Sequence, residues 1–258
     1  MVLPNLPVPF IGLEIYAAAV FALIYWGGFC YRDASAMKSA VKTTSVLLLT
    51  ISAWKLGGPV MLIAALFLCM LGDFLLSLDG DVPFMAGVGA FAGGHIAYVT
   101  LFLTHPRADA DRIFTVDNGL YIAVLAFLGV YMIGTLWRRA GSLRGAVIIY
   151  VPIILAMGLC VLAVQNPTGQ QADLYLYARL AWWGALFFIL SDLTLAYEKF
   201  VFAKASDARK LAPFVVWPTY WGAQLLLLIA FVGLGPRYED GSIQATQPPF
   251  LYTAQMQP

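Results

Sequence analysis

Charge is what this sequence has least of. Only 11% of its 258 residues are Asp, Glu, Lys or Arg, against about 25% in an ordinary soluble domain. With 61% hydrophobic residues, that balance excludes a water-soluble globular domain. The net charge of +1 argues against a nucleic-acid partner. Cysteine and histidine are also scarce: Cys30, Cys69 and Cys160, with His95 and His105. The cysteines fall in apolar runs without disulfide or metal-ligand spacing, so they read as packing residues. Neither a metal nor any other cofactor is expected. The chain has no Gly-x-Ser-x-Gly elbow, no His-Glu-x-x-His pair and no glycine-rich phosphate loop. No short secretory signal with a cleavage site is visible, so the first apolar segment reads as the first span.

Long apolar runs are abundant. A span needs roughly 17 to 25 mostly apolar residues, and eight segments qualify: about 11–30, 36–54, 57–78, 83–103, 119–137, 145–164, 174–197 and 213–234. The fold class is therefore an all-α membrane protein, a compact bundle of eight transmembrane helices over residues 11–234. Residues 1–10, with Pro4, Pro7 and Pro9, read as an exposed segment, and 235–258 as a flexible tail. Lys and Arg set the orientation. The odd-numbered loops carry Arg32, Lys38, Arg138, Arg139, Arg144, Lys199, Lys204, Arg209 and Lys210; the other side carries Lys55, Arg107, Arg112 and Arg237. The odd loops then face the cytoplasm and both termini lie outside. Trp26, Trp54 and Trp137 suit an interfacial aromatic belt. In the fourth span, Ala86, Ala90 and Gly94, with Gly89 and Gly93, have the spacing that lets helices approach closely in lipid. Leu-Gly-Asp ends on Asp73 in the third span and Leu-Ser-Asp on Asp192 in the seventh. One reading is two four-helix halves related by an axis along the membrane normal.

Asp73 and Asp192 each close an apolar run inside a span, where an ionisable side chain costs several kcal/mol or more. Both lie about six residues past the centre of their spans, on the order of 9 Å toward the cytoplasm, and so at one level. Lys42 falls on the same side of its span. His95 and Gln224 come out near the midplane. Trp217, Tyr220 and Gln224 share one helix face, and Tyr98 lies beside His95. Bland alternatives stand beside each. Either aspartate can pair with Lys42 to fix packing only, and Lys42 can instead snorkel to the interface. His95 can be a satisfied interior histidine, and Gln224 and Tyr220 can bridge helices. Glu14 reads as interfacial. His105, Asp79, Asp81, Asp109, Asp111 and Asp117 read as solvated.

A Lys opening span two, Gly-Asp ending span three, and Phe84, Phe91, His95 and Tyr98 in span four resemble the YhhN-type lysoplasmalogenase family. The likeness continues in Gly184-Ala185-Leu186-Phe187-Phe188-Ile189-Leu190-Ser191-Asp192-Leu193-Thr194-Leu195-Ala196, then Lys199-Phe200, then Tyr220-Trp221-Gly222-Ala223-Gln224. It covers about residues 36–234. Two positions depart: Thr43 follows Lys42 where the family often has proline, and Trp221 stands where it has a second tyrosine. The resemblance implies an eight-helix membrane enzyme that hydrolyses the vinyl ether of lysoplasmalogens, lysophospholipids with one alkenyl chain. The products are a fatty aldehyde and a glycerophospho-ethanolamine or -choline. It implies residence in a lipid bilayer, the bacterial inner membrane or, in a eukaryote, the endoplasmic reticulum.

A vinyl ether is hydrolysed by acid: the alkene carbon takes a proton, an oxocarbenium ion forms, water adds and the hemiacetal collapses. Two carboxylates in a low-dielectric site supply a donor and a negative group facing the cation, as in glycosidases. Asp73 and Asp192 are the expected catalytic pair. Lys42, His95, Tyr98, Phe188, Ser191, Tyr220 and Gln224 are the expected substrate-binding residues. A small proton-coupled transporter would use the same intramembrane groups, and a scaffolding membrane protein would leave them as packing pairs.

Overall fold

A computed structural model describes residues 12–164 and 172–234. The expectations for segments 1–10 and 235–258 lie outside the described residues. Among the described residues, eight α-helices follow one another: α1 (Leu13–Gly28), α2 (Ala36–Lys55), α3 (Val60–Leu75), α4 (Asp81–Thr104), α5 (Gly119–Trp137), α6 (Arg144–Cys160), α7 (Ala172–Phe200) and α8 (Asp207–Gly233). Five of them, α4 to α8, are long and apolar enough to cross a membrane by length and composition. The apolar α1 and α3 are shorter at 16 residues each, about 24 Å of helix. Large apolar side chains stay exposed around the bundle, among them Leu23 on α1 and Phe127 and Val130 on α5. Such a surface suits lipid rather than water.

Local signals set the helix ends. The Ser35 hydroxyl accepts from the Lys38 N–H (3.2 Å) and Ser206 from the Arg209 N–H (3.3 Å), so both cap helix N-termini. Gly57 turns the chain between α2 and α3 with φ +67°, a backbone that L side chains rarely adopt. The third span is shorter than expected, because α3 stops at Leu75. The eighth is longer, starting at Asp207 although Pro213 and Pro218 lie inside it. Proline leaves the carbonyl four residues earlier without its N–H. For Pro218 that carbonyl is Phe214 O, and the Trp26 indole N–H donates to it at 3.3 Å.

The helices pair in sequence: α1 on α2 on α3 on α4, and α5 on α6 on α7 on α8. The two runs meet where α4 packs on α6 and α2 on α8. The small residues of α4 face α3. A Cβ on Gly94 would lie 2.8 Å from Cys69 Sγ, and one on Gly93 3.3 Å from Leu68, whereas Gly89 faces open space. Gly94→Val is therefore expected to cost about 1–3 kcal/mol of overpacking. Gly89→Val, with the same loss of glycine, is expected to leave the thermal midpoint in detergent unchanged.

One loop reading is corrected. His105 is buried, not solvated: its ring packs edge-on against Phe231 (5.5 Å) and its Nδ1 accepts from the Arg107 N–H. Burial and the nearby Arg107 push its pKa below the ordinary histidine value. Glu14, near the opposite end of the bundle from Lys38, forms an ion pair with Lys55 and ties α1 to α2.

Candidate functional site

Asp73 and Asp192 are 1% and 9% exposed, and both line one cavity of about 400 Å³. They do not share a hydrogen bond. Each has its own partners, drawn from different helices.

Asp73, on α3, meets Lys42 from α2, with Nζ 2.8 Å from Oδ1 in an ion pair whose angle falls outside hydrogen-bond geometry. Tyr220 from α8 donates its hydroxyl to Oδ2 at 2.7 Å. The Lys42 ammonium also lies 5.8 Å from the Trp217 ring centroid. Trp217 is fixed by its own N–H, which donates to Ala22 O at 3.0 Å on α1. Lys42 thus turns inward to Asp73 rather than snorkelling outward.

Asp192, on α7, takes two neutral-type partners on a single oxygen. The Tyr150 hydroxyl from α6 donates to Oδ2, and His95 Nε2 from α4 lies 3.1 Å from the same atom. Asp192 Oδ1 takes part in neither contact. His95 Nδ1 faces the Met157 sulfur at 3.1 Å. A thioether cannot donate and accepts only weakly, so the sulfur is a partner for a proton on Nδ1, while Nε2 faces both the Tyr150 hydroxyl at 3.1 Å and Asp192 Oδ2. No lysine or arginine among the described residues lies within ion-pair distance of Asp192.

The two clusters have the same plan. Each aspartate is served by the preceding helix (Lys42 on α2, Tyr150 on α6) and by the last helix of the opposite run (Tyr220 on α8, His95 on α4). The match extends to the neighbours: Gly72, before Asp73, packs on Phe91 of α4, and Ser191, before Asp192, donates its hydroxyl to Val216 O of α8 at 3.1 Å.

The other expected substrate-binding residues divide. Lys42, Ser191 and Tyr220 line the cavity; His95, Phe188, Tyr98 and Gln224 do not. His95 stands behind Asp192. Phe188 is fully buried, its ring 4.4 Å from His95 and 5.5 Å from Tyr220, so it fills the space between the two clusters. The Tyr98 hydroxyl donates to Gln224 Oε1, a buried link between α4 and α8. Tyr150 and Trp217, both on the cavity wall, were not among the expected site residues. A hydroxyl well inside the sixth span was the available signal for Tyr150.

Apolar helices around a shared cavity with two buried carboxylates define a multi-pass membrane protein with an intramembrane polar site. The chain belongs to the YhhN family, whose model matches residues 37–231. It is 30% identical over 165 residues to lysoplasmalogenase TMEM86B of Sus scrofa, covering 62% of this chain and 61% of that protein. It is 32% identical over 161 residues to lysoplasmalogenase TMEM86A of Homo sapiens (62% and 60% covered), and 28% identical over 194 residues to human lysoplasmalogenase TMEM86B (74% and 73%). The match thus spans about three fifths of the first two relatives. No solved structure matches the chain.

Proposed function

We propose that this protein is a lysoplasmalogenase, hydrolysing the vinyl ether of a lysophospholipid with one alkenyl chain. The observation that carries the reading is the pair of buried aspartates on one cavity wall, in a member of a family with curated lysoplasmalogenase relatives. All eight helices cross the bilayer in this reading, with the lysine-rich end of the bundle in the cytoplasm and both termini outside. The two matching clusters support an arrangement of two four-helix halves.

Charge balance divides the labour. Asp73 and Lys42 form a neutral pair, so Asp73 is the carboxylate held ionised. Asp192 has no such cation, and an isolated buried charge is costly, so the Asp192–His95 couple is where a transferable proton belongs. That proton adds to the alkene carbon farther from the ether oxygen, using the π electrons, and leaves an oxocarbenium ion facing Asp73. Water adds to the cation and returns its proton to the Asp192–His95 couple. The hemiacetal then passes its hydroxyl proton to the glyceryl oxygen as the C–O bond breaks, giving aldehyde and alcohol. Every proton is accounted for, and the pair ends as it began.

Purified protein in detergent, given an alkenyl-glycerophosphoethanolamine, is expected to release fatty aldehyde; folded protein releasing none would remove this reading. Tyr150 acts as a positioning residue by holding Asp192 Oδ2 and leaving Oδ1 free. A hydrogen bond between neutral groups is worth about 0.5–1.5 kcal/mol. Tyr150→Phe is therefore expected to lower kcat by about threefold to tenfold with KM within twofold of wild type. A purely structural tyrosine would instead move the thermal midpoint and leave kcat alone. The helices at the site run unbroken through Pro152, Pro213 and Pro218, so the interrupted-helix feature of many carriers does not favour a transporter here.

A further inference from the structure

The cavity does not end at the aspartates. It continues to the lysine-rich end of the bundle, where Lys38, Glu198 and Lys199 join its wall. One helix provides the track. On α7, Asp192, Leu195, Ala196 and Lys199 all line the cavity, at the offsets that form one helical stripe, with Ser191 and Glu198 beside them. From Asp192 to Glu198 is about 9 Å of helix rise. In a lysophospholipid, the path from an sn-1 ether oxygen through the glycerol to phosphorus is roughly 6 Å at bond lengths of about 1.5 Å, and the amine lies several ångströms further on. A substrate with its ether oxygen at the aspartates therefore brings its head group to this rim.

The rim groups differ in what they have left to offer. Lys38 is already committed: its ammonium donates to the backbone carbonyls of Cys30 and Arg32 and holds the α1–α2 turn. Lys199 is exposed, its Nζ 4.5 Å from the Phe84 ring centroid, and it forms no ion pair with a described residue. Glu198 is half-buried and is likewise in none of those ion pairs. A carboxylate and an ammonium side by side, neither in a contact ion pair although Arg209, Lys199 and Lys38 all lie within electrostatic range of Glu198, complement a zwitterion.

We propose that Glu198 and Lys199 form a head-group subsite, Glu198 receiving the substrate's ammonium and Lys199 its phosphate. This rests on the lysoplasmalogenase reading and adds a preference to it. A carboxylate makes charge-assisted hydrogen bonds to a primary ammonium. A trimethylammonium has no N–H to give and is recognised instead by aromatic cages, and the nearby Phe84 is taken up by Lys199. Ethanolamine is therefore preferred over choline, and Glu198 is the reason.

The test uses full-length protein in detergent with three alkenyl substrates: the ethanolamine ester, the choline ester and the bare glycerophosphate. Binding of the matching non-cleavable alkyl-ether lipids is measured alongside. Wild type is expected to show the lowest KM for ethanolamine. Glu198→Gln is expected to raise that KM about tenfold, to leave kcat within twofold, and to leave the bare phosphate unaffected or improved. Lys199→Met is expected to raise KM for all three. If Glu198→Gln leaves the ethanolamine KM unchanged, or raises KM equally for the amine-free lipid, the subsite is overturned while the hydrolase reading stands. If wild type cleaves nothing yet binds the ethanolamine analogue in a Glu198-dependent way, the hydrolase reading falls and the subsite stands. If it neither cleaves nor binds, both fall.

Discussion

Asp192→Asn is expected to reduce aldehyde release by about a thousandfold while the protein stays folded and still binds the non-cleavable alkyl-ether lipid. The size follows from removing a general acid, an effect of about 10²–10⁴. The stability expectation follows from the local geometry. Both contacts to Asp192 converge on one oxygen, from Tyr150 and His95; an asparagine carbonyl accepts from the Tyr150 hydroxyl, and the amide has both a donor and an acceptor to offer His95. The packing of α6 and α4 on α7 is thus preserved, and only the capacity to take up and release a proton is lost. Thermal midpoint, analogue binding and turnover measured on one preparation separate these effects. Turnover above a tenth of wild type would reassign the proton donor away from Asp192.

Much of the fold was legible in the sequence because its signal is one-dimensional. Apolar run length marks all eight helices, and both aspartates stand out as carboxylates within such runs. Boundaries failed where tertiary contacts override local rules. The last span was expected to begin at about residue 213, but α8 already starts at Asp207, Pro213 and Pro218 lie inside it, and Trp26 on another helix supplies a donor to Phe214 O. His105 read as solvated because the residue follows a span, whereas Phe231 and the Arg107 backbone enclose it. Tyr150 was missed for a different reason. Tyrosines are common in this chain, 13 in all, and only the packing of α6 beside α7 distinguishes this one. The sequence placed Asp73 and Asp192 at one level but not their partners. Which of the two meets Lys42 depends on helix arrangement. That arrangement puts α3, not α7, beside α2.

Lys42 and Asp73 provide the second large effect, and the one that separates catalysis from packing. Lys42→Met removes the only Lys or Arg within ion-pair distance of Asp73 among the described residues and leaves a carboxylate that is 1% exposed. Breaking a buried pair from one side costs about 3–5 kcal/mol. Because the Lys42 side chain keeps 21% exposure, the lower end of that range is expected. Asp73→Asn strands the lysine instead and is expected to destabilise less, since a long side chain can carry its ammonium outward. The double variant, Met with Asn, replaces the ion pair by two neutral groups, and such replacements are often neutral or stabilising. Its thermal midpoint is therefore expected to return close to wild type. Turnover is expected to stay at least a hundredfold down, because no anion then faces the oxocarbenium ion. A double variant that regains both stability and aldehyde release would show that Lys42 and Asp73 only lock α2 to α3, leaving Asp192 to work without a second carboxylate.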